Sequence, residues 1–194
     1  MSKLQTPFRY DFVGSFLRPQ VLKDAKAAYR DGKISKEEFD KVVDEEIIKV
    51  VAKQKELGFH AITDGEFRRT FWHLDFMWGL DGVAHENTGN GVKFDAELAV
   101  LDDTYLVGKI KAKAHPFVEY FKFLKQFEDE NTVAKYTIPA PAQTFQQMIV
   151  PDNIANTRKF YPANEELIQD IGKAYQDVIT VSYTHLTLPT ILLV

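Results

Sequence analysis

The sequence of 194 residues contains no cysteine. Disulfide bonds, a catalytic thiolate and any zinc site with a cysteine ligand are therefore excluded for the residues present. Histidine is also scarce, with five in the chain. None of the histidines has the His-x-His or His-Glu-x-x-His spacing of a metal site. We therefore expect these residues to bind no metal tightly.

Long apolar runs and an excess of basic residues are absent as well. No apolar stretch is long enough to span a bilayer, and residues 1–10 lack the apolar core of a signal peptide. The formal net charge is −4 and no basic stripe is present, which argues against a nucleic-acid partner. The chain is predicted to be a cytoplasmic globular protein, with neither a membrane nor nucleic acid as partner.

Apolar periodicity predicts an alternation of strands and helices. The clearest helix begins at Ser35, where Glu38 completes a capping box, and Gly58 ends it. Its predicted apolar stripe is Phe39, Val43, Ile47, Val50 and Leu57. Strands are predicted at 10–16, 59–63, 105–112 and 134–140, and further helices at 19–29, from Pro116, and at 164–178. The polar segment 81–103 is predicted to be an excursion from this alternation.

About four alternations of strand and helix are typical of a parallel sheet covered by helices. The predicted class is α/β. A complete (β/α)8 barrel needs ~250 residues, so residues 1–180 correspond to about half of one. Composition and periodicity leave a small doubly wound sheet open as the alternative. Half a barrel has two unpaired sheet edges, so we expect poor stability and a tendency to associate.

Residues 181–194 (VSYTHLTLPTILLV) do not continue the pattern that precedes them. The apolar stripe of the last helix stops without a cap, and VSYTHLTLPT resembles a read-through translation of a sequencing adapter. We expect residues 1–180 to form a partial catalytic barrel and residues 181–194 to be a non-native tail. The alternative is a genuine strand, because Thr-Leu-Thr-Leu is acceptable β sequence.

The first candidate site is the motif VGSFLRP, residues 13–19, at the end of the first predicted strand. Active-site residues of parallel barrels lie at the carboxyl ends of strands. Gly14 lets the backbone approach a ligand, Ser15 and nearby N–H groups can hold a carboxylate, and Arg18 adds a positive charge. The alternative is a plain strand-to-helix turn capped by Ser15.

The second candidate site follows the predicted strand 59–63. Asp64 and Glu66 are two residues apart, so an extended segment would direct both carboxylates to one side. Such a pair can bind an amine or exchange protons. Candidate neighbours in the same run are Arg68, Arg69, Trp72 and His73. The alternative is a solvated cluster of ion pairs.

A third strand end, Tyr136–Pro141, contains prolines that enforce an irregular exit from the strand. It can line a flat ligand or form a rigid loop, and both interpretations stay open. Among the histidines, His60 is expected to be structural, whereas His85 and His115 are expected to lie in loops.

Five motifs occur in an order that resembles a known family: VGSFLRP, ITDGEFRRTFWHLDF, GLDGV, LVGKIKAKAHP and KYTIPAPA. They resemble the short, single-barrel relatives of cobalamin-independent methionine synthase, from residue 8 to about residue 180. The resemblance implies the N-terminal half of a TIM (β/α)8 barrel of that type. It also implies methyl transfer from 5-methyltetrahydrofolate to homocysteine, whose thiol a zinc ion activates.

The resemblance further implies roles for individual residues. The residues that would hold the amino-acid end of homocysteine are Val13, Gly14 and Ser15, with Glu66 on its ammonium group, Asp64 supporting Glu66, and Arg68 and Arg69 pairing around them. The family's zinc ligands (a histidine, two cysteines and a glutamate) have no counterpart here, and neither has its folate-stacking tryptophan. We therefore expect a fragment that is itself inactive, from a parent protein that binds zinc.

Three other functions stay open. One is another zinc-dependent thiol alkyltransferase of the same superfamily, and one is a non-catalytic binding domain. The third is a hydrolase with Asp64 and Glu66 as an acid–base pair. Two carboxylates this close along one strand seldom flank a scissile bond, which disfavours the hydrolase.

Overall fold

The computed structural model describes residues 12–87, 91–94, 97–100 and 102–184. Its elements, in chain order, are α1 (Gln20–Arg30), α2 (Lys36–Glu56), β1 (Ala61–Ile62), α3 (Leu74–Trp78), β2 (Asp81–Glu86), β3 (Gly91–Phe94), β4 (Glu97–Val100), β5 (Asp103–Lys111), α4 (Pro116–Lys125), β6 (Val133–Ala134), α5 (Pro141–Ile149), α6 (Pro151–Thr157) and α7 (Asn164–Thr184). The described residues form two compact units: 12–72 with 120–137, and 73–119 with 138–184. The fold is of the α/β class, as predicted.

Helices α1 and α2 pack against each other in the first unit. The Ser35 hydroxyl accepts from the Glu38 N–H at 3.1 Å and the Glu38 carboxylate accepts from the Ser35 N–H at 2.7 Å, so the predicted capping box is confirmed. The buried residues of α2 are Val43, Glu46, Ile47, Val51 and Gln54. The predicted stripe was wrong at Leu57, which is 59% exposed because the helix has already ended at Glu56.

A short parallel pair of strands lies at the centre of the first unit. β1 pairs with β6 in the register Ile62↔Ala134, and the Lys135 N–H donates to the Ile62 carbonyl at 2.8 Å. The buried Gln54 of α2 donates to the Thr63 carbonyl at 2.8 Å and accepts from the Thr63 N–H at 2.9 Å. Both backbone groups of Thr63 are thereby satisfied, and α2 determines where the chain leaves β1.

Two of the predicted strands, at 10–16 and at 134–140, differ from the structure. None of residues 12–16 is in a strand, although a strand was predicted at 10–16; residues 10 and 11 lie outside the described part. The Phe12 carbonyl accepts from Lys135 Nζ at 2.8 Å, so a side chain and not a strand ladder holds this segment. The strand predicted at 134–140 is reduced to β6, because Pro139 and Pro141 cannot donate to a ladder.

The segment 81–103 contains β-structure where an excursion was predicted. β2 pairs antiparallel with β5, with a register shift between Asp81 and Val83, and β3 pairs antiparallel with β4. His85, expected in a loop, therefore lies in β2. Within the described residues β1–β6 is the one parallel pair. The parallel pairing of the predicted strands 59–63 and 134–140 is thus confirmed, whereas the prediction that the strand at 105–112 joins a parallel sheet was wrong. The strand pattern was missed because β2 is exposed or half-buried throughout, and antiparallel strands tolerate a solvated face.

Helices α5, α6 and α7 pack together or against β5 in the second unit. α5 and α6 were not predicted, although Pro141 and Pro151 stand at their first positions, where a missing N–H costs nothing. α7 extends to Thr184, past the predicted end at Val178. The remainder of the predicted tail, 185–194, lies outside the described residues. No helix in the described part of the chain has the length and apolar character needed to cross a membrane.

Candidate functional site

Two backbone turns bring predicted site residues of the first unit together. Gly14 has a φ of +90° and Gly65 a φ of +64°, a region that strains residues with a β-carbon. A β-carbon on Gly65 would also lie 3.1 Å from the Phe16 ring. The Phe16 N–H donates to the Gly65 carbonyl at 3.1 Å, so the loop 12–19 is joined to the turn 63–69.

Glu66 lies in the middle of a cluster of polar side chains, which consists of Ser15, Asp64, Glu66, Arg69 and Thr137. It is 5% exposed, and its φ of +57° makes it the one non-glycine residue with a positive φ in the described chain. Its Oε2 accepts from the Ser15 hydroxyl at 2.6 Å, and its Oε1 accepts from Arg69 Nη1 at 3.2 Å and from the Thr137 hydroxyl at 3.1 Å. Backbone strain of this kind persists where the surroundings hold it, and it is concentrated at functional sites.

Asp64 supports Glu66 through the backbone. The extended geometry expected for residues 64–66 is replaced by a turn, and Asp64 Oδ1 accepts from the Glu66 N–H at 2.9 Å. Asp64 is 3% exposed, and this burial raises the pKa of its carboxyl. The Glu66 N–H, the Arg69 charge and the Tyr136 hydroxyl oppose the rise in the Asp64 pKa. The Asp64 carboxyl thus stabilises the turn by accepting a hydrogen bond from the Glu66 backbone.

Arg69 is a buried cation, 2% exposed, on the inner side of the cluster. Its Nη1 bonds the Glu66 carboxylate, and its Nη2 donates to the Thr137 carbonyl at 2.6 Å. The guanidinium lies 4.8 Å from the centre of the Tyr136 ring. Arg69 therefore balances the charge of Glu66 and fixes the segment that follows β6.

Arg18 contacts main-chain oxygens. Its Nη2 donates to the Glu66 carbonyl at 3.2 Å and to the Arg69 carbonyl at 2.9 Å, which holds the turn closed. The neighbouring Val13 is 85% exposed. The predicted contact of Val13 and Arg18 with substrate stays a prediction.

Arg68 points to a different set of partners from those of Arg69. It forms an ion pair with Asp44 of α2 and lies 4.9 and 5.0 Å from the ring centres of Tyr120 and Phe123. Trp72 is 50% exposed, and its carbonyl accepts from Arg69 Nη1 at 3.4 Å. The structure thus connects Trp72 to the cluster through Arg69. The contacts of Arg68 with Asp44, Tyr120 and Phe123 anchor the turn to helix α2 and to the part of α4 that belongs to the first unit.

His73 belongs to the second unit, where it is the N-cap residue of α3. Partial burial lowers the pKa of its imidazole, and the nearby Asp75 carboxylate partly opposes that change. Its predicted role beside a ligand stays a prediction.

Thr137 is a member of the cluster that was not singled out from the sequence. It lies in the third strand end, three residues beyond Ala134, whose register partner is Ile62 of β1. Because the carboxyl ends of parallel strands lie at the same edge, a polar residue at this position is expected near Glu66. The strand pairing was needed to find it, since a lone threonine beside prolines carries no signal.

No group of three or more His, Cys, Asp or Glu residues in the described ranges is arranged to hold a metal ion. The chain also has no cysteine to supply a thiolate ligand. The residues described here therefore do not fit a zinc ion. The expectation that a parent protein binds zinc elsewhere stays a prediction.

Comparison with known proteins decides the family. Residues 10–108 match the family model described as cobalamin-independent synthase, catalytic domain. The chain belongs to this family. This is the family that the sequence motifs resemble, so that prediction is confirmed.

Relatives of this family match over most of the chain. The identity to protein YxjH of Bacillus subtilis (strain 168) is 34% over 179 residues, 92% of this chain and 46% of that protein. The identity to the 5-methyltetrahydropteroyltriglutamate–homocysteine methyltransferase of Bradyrhizobium diazoefficiens is 32% over 172 residues, which are 87% of this chain and 22% of that enzyme.

A solved structure shares the fold. It is a Listeria monocytogenes protein described as a vitamin-B12 independent methionine synthase, with a TM-score of 0.71 and 35% identity, covering 94% of this chain and 50% of that one. The chain thus spans about half the length of YxjH and of the Listeria protein.

Proposed function

We propose that the protein containing this chain transfers a methyl group from a methyltetrahydrofolate to the thiol of homocysteine. In that reaction the carbon–sulfur bond of methionine forms as the bond between the methyl carbon and the folate nitrogen breaks. The thiol loses its proton, and the folate nitrogen keeps the electron pair of the broken bond and gains a proton. Family membership and the name of the Bradyrhizobium relative support the reaction type. We further propose that the parallel pair β1–β6 and the helices that follow its strands belong to a (β/α)8 barrel, in line with the likeness to the Listeria structure.

Within this reaction, the chain supplies the site for the amino-acid end of homocysteine. The observation that carries this proposal is the 2.6 Å hydrogen bond between the Ser15 hydroxyl and Glu66 Oε2, which joins the two motifs. A largely buried carboxylate attracts a primary ammonium group strongly, because few waters compete for it. Ser15 is exposed, so a ligand can reach the hydroxyl that bonds Glu66 Oε2 and replace it there.

Gly14 and Ser15 are proposed to receive the carboxylate of the same amino acid. Gly14 has a positive φ. The space beside it is open, because a β-carbon at this position would meet no atom within 4 Å. Backbone N–H groups can then approach an anion closely. Because the described residues do not fit zinc, no step of thiol activation is assigned to them.

Calorimetric titration of the protein that contains this chain with L-homocysteine and L-methionine tests the proposal. Glu66→Gln keeps the shape of the side chain and removes its charge, so we expect both dissociation constants to rise about tenfold or more. Glu37→Gln, on the exposed surface of α2, is the matched control and should leave them unchanged. Equal affinities of the wild type and Glu66→Gln would remove Glu66 from the site.

A further inference from the structure

Glu66, Arg69 and Thr137 form a closed ring of hydrogen bonds. The Thr137 hydroxyl donates to Glu66 Oε1 at 3.1 Å, and Arg69 Nη1 donates to the same oxygen at 3.2 Å. Arg69 Nη2 returns to the Thr137 carbonyl at 2.6 Å. Thr137 thus contacts the pair twice, once through its side chain and once through its backbone.

This ring makes the two oxygens of Glu66 unequal. Oε1 is turned toward Arg69, which is 2% exposed, whereas Oε2 is turned toward the exposed Ser15. A carboxylate with two donors on one oxygen is held against rotation about its last bond, because rotation would break both hydrogen bonds. Oε2, which lies on the side of the exposed Ser15, is therefore the oxygen that we assign to a ligand.

The strand register explains why Thr137 occupies this place. Ile62 of β1 pairs with Ala134 of β6, and the segments that follow these two strands leave the parallel pair in the same direction. Glu66 follows Ile62 by four residues and Thr137 follows Ala134 by three. The fold thus brings a hydroxyl donor to Glu66 from the neighbouring strand.

We infer that Thr137 is a positioning residue that orients Glu66 Oε2 toward the ammonium group of the amino-acid substrate. The inference rests on the proposed function, in which Glu66 binds that group. Arg69 neutralises the carboxylate from one direction only. The second donor, from Thr137, fixes the plane of the carboxylate and with it the direction in which Oε2 accepts.

Thr137→Val and Thr137→Ser test the inference by calorimetry with L-methionine. Valine has the shape of threonine without its hydroxyl, so we expect the dissociation constant to rise about five- to tenfold, the value of one hydrogen bond of ordinary strength. Serine keeps the hydroxyl and should restore affinity to within about twofold of the wild type. Thr137→Ala, which also lacks the hydroxyl, gives the same test if the valine variant does not fold.

A ligand without the amino group separates positioning from general damage. For 4-(methylthio)butanoate, we expect the wild type and Thr137→Val to have equal affinity, because Glu66 has no ammonium to bind. In a Glu66→Gln background Thr137→Val should add no further loss for L-methionine. Thr144→Val is the matched control: it removes a buried hydroxyl that bonds Tyr175 at 2.7 Å, so it should lower the melting temperature without changing either affinity.

The possible outcomes distinguish failure of the proposed function from failure of the inference alone. A wild-type chain that binds neither homocysteine nor methionine overturns the proposed function and the inference together. Binding that weakens in Glu66→Gln but not in Thr137→Val overturns the inference alone. Equal losses for methionine and its amine-free analogue, or additive losses in the double variant, also overturn it.

Discussion

The backbone of Glu66 depends on two neighbouring side chains. Asp64 Oδ1 accepts from its N–H, and Arg18 Nη2 donates to its carbonyl. These bonds maintain a left-handed conformation that costs of order 1–3 kcal/mol in a residue with a β-carbon. The carboxylate of Glu66 can therefore be aimed only while the turn beneath it is held.

Replacing Asp64 by alanine tests this support. Asp64→Ala leaves the buried Glu66 N–H without an acceptor, so the free energy of unfolding should fall by about 1–3 kcal/mol. Asp64→Asn keeps an acceptor oxygen and should lose less. Urea unfolding followed by circular dichroism measures the stability of both variants. Asp24→Ala, at an exposed position of α1, is the control. Equal stabilities of the wild type and Asp64→Ala would show that Asp64 does not hold the turn.

His115 is a buried histidine that makes the stability depend on pH. Its Nε2 donates to the Phe76 carbonyl at 2.8 Å and its Nδ1 accepts from the Phe117 N–H at 3.2 Å, which defines a neutral tautomer. Burial lowers its pKa, against the smaller effect of the Phe76 carbonyl. The unfolded chain therefore binds a proton more readily, and stability is lost as the pH falls below about 6.5, the ordinary histidine value.

Thermal melts at pH 7.5 and 5.5 check this dependence. The melting temperature should fall more between pH 7.5 and 5.5 for the wild type than for His115→Gln, because the variant has no imidazole to protonate at this position. His60→Gln, at an exposed position, should behave as the wild type does. An identical pH dependence in the wild type and His115→Gln would contradict the assignment.

Among the elements, α2 was predictable because its signals are local. The Ser35–Glu38 capping box, the apolar period and Gly58 all lie within one stretch of sequence. The pairing of β2 with β5 depends on residues about twenty apart and on strands with little apolar alternation, so local patterns could not show it. In the site, Ser15 and Glu66 were recognisable from their motifs, whereas Thr137 required the β1–β6 register.

The connection between α2 and β1 determines where the site turn begins. Gln54→Met keeps the size of the side chain but leaves the Thr63 N–H and carbonyl without their partners. We expect the free energy of unfolding to fall by about 1–3 kcal/mol in urea titrations. Gln126→Met, at an exposed position, should change it by less than about 0.5 kcal/mol. A neutral effect of Gln54→Met would show that the strand end is held by other contacts.

On the scale of the whole molecule, the described residues that donate to the Glu66 carboxylate (Ser15, Arg69 and Thr137) belong to the first unit. The second unit has its own buried polar core, in which the Tyr161 hydroxyl accepts from the Ile110 N–H and donates to Asp170, each at 2.7 Å. Stability and ligand affinity should therefore be separable by substitutions in the two units. Tyr161→Phe should destabilise the chain by about 1–2 kcal/mol while its methionine dissociation constant stays within about twofold. A larger change in affinity would show that the binding site depends on the second unit.

A crystal structure of the protein with L-methionine would show which group binds the amino nitrogen. We predict that the methionine nitrogen lies within about 3.2 Å of Glu66 Oε2. The Thr137 hydroxyl should remain on Oε1, and the methionine carboxylate should lie against the backbone of Gly14 and Ser15. A bound methionine whose nitrogen contacts other groups, with Glu66 still bonded to Ser15 alone on that side, would contradict it.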